Sequence, residues 1–396
     1  MRIAFDYTAG IRQRAGVGNY VRNLVTAMLQ QDTRNEYTFL TSGRPTRERP
    51  FPQAQNVRGR SIFIPDRYLN IIWYRWRLPL YATYFSGHAD LFHGPDFALP
   101  PSGKRLRKVV TVHDLAFLDY PEYAVPELAS YLMKIVPEAL AAADVVCTVS
   151  DEVSRTLIKH FHTPPAKLVV IPNGVNSYFR RITDPVLLNA TRHKYGLKHP
   201  LVLAVGTLEP RKNHAGLIRA FYKAQKEKHG PAMLALAGGK GWLYEETEQL
   251  VQELHLEKNV CFLGRVSEHE LITLYSLADV FAYPSFAEGF GVPPLEAMAC
   301  GAPVIASNTT ALPDVVGDAA LLVDPRDPGA LAQAINRIIG DTALQEDLRK
   351  KGYQRVKQFT WAEAARKQLS VYQRLYEGMT DFSDMTETVS SEADAL

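Results

Sequence analysis

The 396-residue chain is long enough for two domains of ordinary size. Hydrophobic residues make up 46% of it and charged residues 22%, so each half can bury a core of its own. The formal net charge is only +3, which gives no general reason to expect a nucleic-acid partner, although residues 1–108 carry 17 Lys or Arg against 7 Asp or Glu.

Cys147, Cys261 and Cys300 occur singly in apolar segments. This spacing argues against a disulfide framework or a zinc site and fits a reducing compartment. The N-terminus lacks the layout of a signal peptide, and no apolar run approaches the ~18 residues of a membrane span. We therefore expect a cytoplasmic protein, with a peripheral contact to the inner face of the membrane left open.

The basic and aromatic segment Tyr68–Leu78 is where such a membrane contact would form. The interpretation that we prefer is a buried helix whose arginines reach outward to solvent.

The chain opens with an apolar strand, Arg2–Asp6, followed by a glycine-rich loop and a helix. Apolar residues from Val21 to Leu29 recur at helical spacing on one face. Further strand-like runs alternate with helical patterns, which predicts a parallel sheet with crossover helices. These runs are Lys108–Val112, Asp144–Val149 and Leu168–Ile171.

A second alternating series begins after a polar stretch. The fold class predicted is therefore α/β, with two Rossmann-like doubly wound domains facing across a cleft. The strands of the second series are predicted at Leu201–Val205, Met233–Ala237, Val260–Leu263, Val280–Tyr283, Val304–Ala306 and Ala320–Val323.

The predicted organisation has five parts. They are an N-terminal acceptor-binding domain at 1–180, a linker at 181–200, a C-terminal donor domain at 201–360, a helix at 361–377 that crosses back to the N-terminal domain, and a disordered acidic tail at 378–396.

The motif with most chemical content runs from Pro284 to Gly301. A loop with two glycines leads into a helix that has prolines in its first turn, and such a helix N-terminus binds anions well. Glu288 and Glu296 bracket this loop, and carboxylates accept hydrogen bonds from the adjacent hydroxyls of a sugar. The alternative is a structural loop in which both carboxylates only cap backbone N–H groups.

A second motif, Val205 to His214, follows the first strand of the second series directly. It places Arg211 and Lys212 at the carboxyl end of that strand, where two cations can pair with a diphosphate and stabilise it as a leaving group. The alternative is ordinary solvated charge in a loop.

Together the two motifs resemble the family 4 retaining glycosyltransferases of the two-domain GT-B fold. Gly206-x-x-x-Pro210-Arg211-Lys212-Asn213 and Glu288-Gly-Phe-Gly-x-Pro-x-x-Glu296 match that family's signatures in order and spacing. One departure is Thr207, where many members carry an arginine, so Arg211 and Lys212 would supply the phosphate charge alone. Further matching segments are Gly16-x-Gly18, Val112-His113-Asp114, Thr148-x-Ser150, Ile171-Pro-Asn-Gly174 and Phe359-x-Trp361.

The resemblance implies a role for each matching residue. Arg211 and Lys212 would bind the diphosphate, Glu288 would contact the donor hexose, and Glu296 would bond the ribose hydroxyls. His113 would contact the donor sugar near its anomeric carbon, although a lone histidine after a strand is otherwise more often structural. Other donor-binding positions implied are Gly16, Gly18, Gly206, Gly264, Arg265, Val266, Gly289, Phe290 and Gly291.

The function implied is retaining transfer of a hexose from a nucleotide-diphosphate donor to a saccharide or lipid-linked acceptor in polysaccharide or glycolipid assembly. No cofactor and no metal are expected. The phosphate motif resembles that of bacterial mannosyltransferases of polysaccharide assembly, which favours mannose from GDP-mannose.

Several alternatives stay open on the residues alone. They are a UDP-glucose-dependent glucosyltransferase, a non-catalytic nucleotide-sugar-binding module, a glycan phosphorylase and a sugar-nucleotide epimerase. A dinucleotide-dependent oxidoreductase is disfavoured, because Gly16-x-Gly18 lacks the third glycine and the downstream acid of that fingerprint.

Overall fold

The computed structural model divides into two compact units. Unit 1 contains Met1–Gly174 and Trp361–Leu396, and unit 2 contains Val175–Thr360. The structure describes residues 1–14, 16–65, 68–69, 71–76, 78, 82–101, 103, 106–227 and 230–385, with the side chains of residues 74 and 75 left aside.

Unit 1 is built on a seven-stranded sheet with the order β3-β2-β1-β4-β5-β6-β7, in which every neighbouring pair is parallel. The expected α/β class is thereby confirmed for this half of the chain. Its strands are β1 Arg2–Asp6, β2 Glu36–Ser42, β3 Val57–Ile62, β4 Leu91–Gly94, β5 Arg107–Val112, β6 Val145–Thr148 and β7 Leu168–Val170.

The helices of unit 1 connect these strands and cover the sheet. The last of them, Trp361–Tyr376, packs against Val17–Gln31. Helical segments of unit 1 are Thr8–Arg12, Val17–Gln31, Ile71–Arg75 (a π-type turn), Thr83–Ser86, Ala116–Asp119, Pro126–Ala142, Asp151–Phe161 and Trp361–Tyr376, with short 3₁₀ turns at Pro121–Tyr123, Pro165–Lys167 and Ser383–Met385.

The helix Trp361–Tyr376 is fixed in unit 1 by a buried polar contact. The Tyr372 hydroxyl lies 2.5 Å from Nδ1 of His93 on β4, and the other ring nitrogen of His93 lies 2.8 Å from the Thr111 hydroxyl. Burial lowers the pKa of His93 to about 3, so the ring is neutral and serves as part of the core.

The predicted disorder of the tail does not hold for its first residues. Phe382 is fully buried, and its backbone N–H donates to the Ala166 carbonyl oxygen. The polar composition of the tail does not indicate this apolar contact of a single ring. Residues 386–396 lie outside the described residues.

Unit 2 contains a six-stranded parallel sheet with the order β10-β9-β8-β11-β12-β13. Its strands are β8 Leu201–Val205, β9 Met233–Ala237, β10 Val260–Gly264, β11 Val280–Tyr283, β12 Val304–Ser307 and β13 Ala320–Val323. Helices are Pro185–Tyr195, His214–Ala224, Glu245–Glu253, Glu268–Leu277, Val292–Ala299, Leu312–Val316, Pro328–Gly340 and Thr342–Val356, with 3₁₀ turns at Pro210–Lys212 and Gly317–Ala319.

The segment expected to be a linker, 181–200, is instead structured. Its helix Pro185–Tyr195 is capped by the Asp184 side chain, and Tyr195 donates a hydrogen bond to Glu270 in unit 2. The N-terminal domain therefore ends nearer residue 174 than 180, since Val175 onward groups with unit 2.

The segment Tyr68–Leu78 is only partly buried. Leu69 is almost completely inaccessible, whereas the Trp76 side chain is 62% exposed, so the preferred interpretation of a buried helix holds for one side of the segment alone. Arg67 and Arg77 lie outside the described residues. Within the described parts of the chain, no helix is both long enough and apolar enough to cross a membrane.

Candidate functional site

Arg211 and Lys212 lie in a tight turn after strand β8, as the sequence motif predicts. The turn Pro210–Lys212 ends at Asn213, whose backbone is left-handed with a φ of 56°. The Asn213 side chain accepts a hydrogen bond from the Gly216 N–H at the start of the next helix. It also donates to the carbonyl oxygens of Pro284 and Pro325. Asn213 thus holds the two cations against the loop after β11.

Glu288 lies in the loop after β11 and is bonded to both cations. Its Oε1 accepts from Lys212 Nζ at 2.5 Å, and its Oε2 accepts from Arg211 Nη1 at 3.1 Å. Lys212 also donates to the Tyr283 hydroxyl at 2.9 Å, and Tyr283 is the last residue of β11. The carboxyl ends of neighbouring strands β8 and β11 therefore bring these side chains together.

The cluster is deeply placed and ionised. Only 8% of the Glu288 side chain and 12% of the Lys212 side chain are exposed. Burial alone would raise the pKa of Glu288, but the Lys212 ammonium and the Arg211 guanidinium outweigh it and lower that pKa to about 2. Burial lowers the pKa of Lys212, while the attraction of Glu288 opposes this change.

Arg211 is oriented by more than Glu288. Its guanidinium also donates to the Glu209 carboxylate at 3.0 Å and to the Ala287 carbonyl oxygen at 2.8 Å. The Arg211 backbone carbonyl accepts from the Phe286 N–H. The guanidinium is therefore held in one orientation by two loops, and its remaining N–H groups are oriented before an anion arrives.

The glycine loop that follows Glu288 leads directly into the helix Val292–Ala299. Gly291 has a φ of 95°, a region that side chains rarely adopt, and a Cβ there would lie 2.6 Å from the Leu312 side chain. Gly289 and Phe290 are buried beside it. The loop therefore needs glycine at residue 291 to bring its backbone N–H groups to the helix N-terminus.

Glu296 does not join the Arg211–Lys212–Glu288 cluster. On the described residues its carboxylate accepts from the Tyr275 hydroxyl at 3.0 Å. Burial raises the pKa of Glu296 to about 7, and the nearby Glu268 carboxylate adds to this increase. Its role in bonding ribose remains a prediction of the family resemblance.

The remaining unit 2 positions lie at the ends of β8 and β10. The aliphatic part of the Lys212 side chain packs against Gly206. Its nearest carbon atoms would lie 3.5 Å from a Cβ placed on that glycine. Gly264 has a φ of 66° and its carbonyl oxygen accepts from the Gly238 N–H. Arg265 is exposed and Val266 half-buried. Their proposed contacts to the base stay predictions.

His113 follows β5 in unit 1. Its Nε2 lies 2.7 Å from the Pro95 carbonyl oxygen, which can only accept, so Nε2 carries the proton and Nδ1 is an acceptor in the neutral ring. Burial lowers the pKa of His113 to about 4. The ring packs edge-on against Tyr20 and Phe97. His113 is thus fixed as a neutral side chain, and its contact to the donor sugar stays a prediction.

Gly16 and Gly18, also in unit 1, differ in what they do locally. Gly18 is buried, and a Cβ there would lie 2.2 Å from the Gln13 carbonyl oxygen, so the packing requires glycine at this position. Gly16 is exposed, has a φ of 54°, and no atom lies within 4 Å of where its Cβ would be. The contacts of both glycines to a donor stay predictions.

Three residues of the site were missed by the sequence analysis. Tyr283 and Glu209 orient the two cations, and Tyr275 orients Glu296. Glu209 and Tyr283 each directly precede a proline of the two motifs, and this position is only weak evidence for a role in the site. Tyr275 lies in the middle of a helix, and nothing in its local pattern indicates the contact.

Unit 1 contains a cavity of about 530 Å³ beyond the carboxyl ends of β1, β2 and β4. Asp6, Asp96 and the Trp73 ring are among its lining groups. Gln13 donates to the Asp96 carboxylate at 3.0 Å. Carboxylates beside an aromatic ring offer hydrogen-bond acceptors and an apolar face, which together suit a neutral saccharide.

Among the described residues, no group of three or more His, Cys, Asp or Glu side chains is arranged to hold a metal ion.

Two family sequence patterns match the chain: "Glycosyltransferase Family 4" over residues 14–178 and "Glycosyl transferases group 1" over residues 189–355. The chain is 37% identical over 303 residues to O-antigen chain mannosyltransferase B of Escherichia coli, covering 76% of this chain and 77% of that protein.

Solved structures agree with the two-sheet architecture. Sucrose-phosphate synthase from Thermosynechococcus elongatus superimposes with a TM-score of 0.76 at 25% identity, covering 96% of this chain and 100% of the other. The Anabaena protein HepE, solved in complex with UDP and glucose, superimposes with a TM-score of 0.69 at 21% identity, covering 94% and 99%. The GT-B fold expected from the sequence is thereby confirmed.

Proposed function

Because this chain belongs to glycosyltransferase family 4 and is a hexosyltransferase of GT-B fold, we propose that it transfers mannose from GDP-mannose to a growing saccharide, with retention at the anomeric carbon. The observation that carries the proposal is the buried cluster of Arg211, Lys212 and Glu288 at the ends of β8 and β11.

The two cations bind the diphosphate of the donor. The Lys212 ammonium donates two of its three N–H groups to Glu288 and Tyr283, and the third can donate to a phosphate oxygen. The backbone N–H groups of Gly289 to Gly291 stand at the N-terminus of the next helix and add partial positive charge. As the glycosidic bond breaks, negative charge grows on the leaving phosphate, and these fixed donors stabilise it.

Glu288 has two tasks in this proposal. It holds both cations in place, and its carboxylate accepts from hydroxyls of the hexose. A carboxylate with a pKa near 2 is ionised and a poor base at neutral pH, so Glu288 accepts hydrogen bonds from the sugar and does not remove a proton. The acceptor hydroxyl then attacks on the face from which the diphosphate departs, and a phosphate oxygen takes its proton. No metal is assigned to the reaction.

The choice of mannose rests on similarity to O-antigen chain mannosyltransferase B over about three quarters of both chains. By the same similarity we place the reaction in the assembly of a bacterial surface polysaccharide. The acceptor is a saccharide, free or carried on a lipid, and it binds in the 530 Å³ cavity of unit 1. Exposed Trp76, three residues after the Trp73 that lines this cavity, is a contact point for a membrane that carries such a lipid.

The second candidate is a UDP-glucose-dependent glucosyltransferase. It is favoured by the likeness to HepE, which was solved with UDP and glucose.

A thermal-shift panel with GDP, UDP and ADP, followed by donor turnover, tests the proposal. We expect GDP to raise the melting temperature most, and GDP-mannose to be consumed with release of GDP. A larger shift with UDP would replace mannose by the second candidate. Tight nucleotide binding without turnover of any donor, with and without a saccharide acceptor, would contradict catalysis.

A further inference from the structure

A second cavity of unit 1 is polar and about 550 Å³ in volume. It lies at the amino ends of the strands, whereas the acceptor cavity lies at their carboxyl ends. Arg2, Glu36 and Arg58 stand at or near the amino ends of β1, β2 and β3 and line it. Strand β2 has 7 residues, so the amino and carboxyl ends of the strands are roughly 20 Å apart. The cavity is therefore separate from the proposed acceptor site.

The lining of this cavity is strongly cationic. Four arginines, Arg2, Arg34, Arg58 and Arg60, and His88 face a single acid, Glu36. Arg2 is paired with Asp90 at 3.1 Å. On the described residues, the guanidinium groups of Arg34, Arg58 and Arg60 form neither an ion pair nor a hydrogen bond. These three arginines are exposed at the cavity, so their positive charges are accessible to an anion that enters it.

Arg58 and Arg60 share one face of the edge strand β3. The Phe51 ring covers the other face, because a Cβ on Gly59 would lie 2.3 Å from it. Alternation along the strand then directs both guanidiniums away from Phe51, with their Cα atoms roughly 7 Å apart. This spacing suits two forks that grip neighbouring oxygens of a phosphate or diphosphate.

The backbone around the cavity is held in place before any ligand arrives. Asn56 donates to the carbonyl oxygens of Asp32 at 3.0 Å and Asn35 at 2.8 Å. The Asp32 carboxylate in turn accepts from the Arg34 N–H at 2.9 Å. A pre-formed site loses less entropy on binding than a loop that must first be ordered.

We propose that this arginine pocket, formed by Arg34, Arg58, Arg60 and His88, binds the phosphate or diphosphate group of an anionic ligand. The pocket volume lies within the range of about 300–1,000 Å³ that is usual for small-ligand sites and exceeds what one phosphate fills. The ligand is thus a diphosphate or a phosphorylated head group, and its site is separate from the acceptor cavity of the same unit.

Hydrogen–deuterium exchange with inorganic pyrophosphate locates the site. We expect protection of peptides that cover residues 33–38 and 55–62, fading as salt is raised. The double variant Arg58→Gln/Arg60→Gln should bind at least roughly tenfold more weakly at these peptides, since each charge-assisted hydrogen bond contributes substantially. The matched control is Arg155→Gln/Arg366→Gln, which removes the same charge from exposed, ion-paired arginines of unit 1.

Co-sedimentation with vesicles separates the two sources of phosphate. Binding to vesicles that contain phosphatidylglycerol but not to pure phosphatidylcholine, lost in Arg58→Gln/Arg60→Gln, supports a lipid head group. Pyrophosphate protection without vesicle binding supports a free ligand. Absence of both, or equal behaviour of the test and control variants, overturns the proposal. Unchanged melting temperature and donor turnover verify folding, and Arg34→Gln serves as a second test variant.

Discussion

Lys212→Ala tests the donor cluster most directly, because it removes one of two cations from a carboxylate that is almost completely buried. A carboxyl group whose pKa is near 2 in the folded protein and about 4.5 in the unfolded chain stabilises the fold by roughly 3 kcal/mol at neutral pH. Arg211 remains bonded to Glu288 in the variant, so we expect only part of this stabilisation to be lost, on the order of 1–2 kcal/mol.

The pH dependence of this loss has a definite sign. The pKa of Glu288 is depressed in the folded state, so its stabilisation is present above about pH 4.5 and disappears as the pH falls towards 2. Urea unfolding at several pH values should therefore show the largest difference between wild type and Lys212→Ala near pH 6–7. The difference should shrink towards pH 3.

The same variant should also show a large loss in the rate of sugar transfer. Losing a fixed donor to a developing phosphate charge costs about 10²–10³-fold in kcat. The matched control is Lys240→Ala, since Lys240 is an exposed lysine of unit 2 that is paired with Glu248 at 3.0 Å. Near-wild-type kcat in Lys212→Ala, or an equal loss in Lys240→Ala, would refute the assignment of the cluster.

Three further predictions concern the other groups of the proposed reaction. The pKa of Glu296 is raised to about 7, so the ionised carboxylate destabilises the fold as the pH rises from about 5 to 8; the unfolding free energy of wild type relative to Glu296→Gln should fall over that range, and a rise would contradict the burial argument. Asp96→Asn should raise KM for a saccharide acceptor several-fold while donor hydrolysis is unchanged, and loss of both together would remove Asp96 from the acceptor site. EDTA should leave transfer unchanged, whereas a loss restored by Mg²⁺ or Mn²⁺ would overturn the metal-free mechanism.

Strands buried on both faces were the part of the fold that the sequence predicted well. Strands β1, β8 and β9 have the predicted bounds, because central strands of a parallel sheet are continuous apolar runs. The strands β2, β3 and β4 were missed. Strand β3 lies at the sheet edge and carries two exposed arginines, and β4 ends in His93 and Gly94, so neither shows the apolar run of a buried strand.

The site was predictable where a residue's neighbours in sequence determine its position. Arg211 and Glu288 each follow a buried strand at short distance, so parallel topology brings them together. Tyr275 could not be found in this way, because its contact with Glu296 joins two helices whose relative placement depends on packing.

The two cysteines Cys147 and Cys300 are buried, and Cys261 is partly buried; all three are free, in agreement with the absence of a paired spacing.

The cluster itself indicates how the site would act on a donor. Arg211 and Lys212 are balanced by Glu288 and Glu209, so the four side chains together carry no formal net charge. Such a cluster gains little from long-range attraction of an anion, and its contribution comes from donors that are already oriented when the phosphate arrives. The arginine pocket of unit 1 is the opposite case, because its guanidiniums carry net charge without partners among the described residues. Donor binding should therefore depend weakly on ionic strength, and phosphate binding at the arginine pocket strongly.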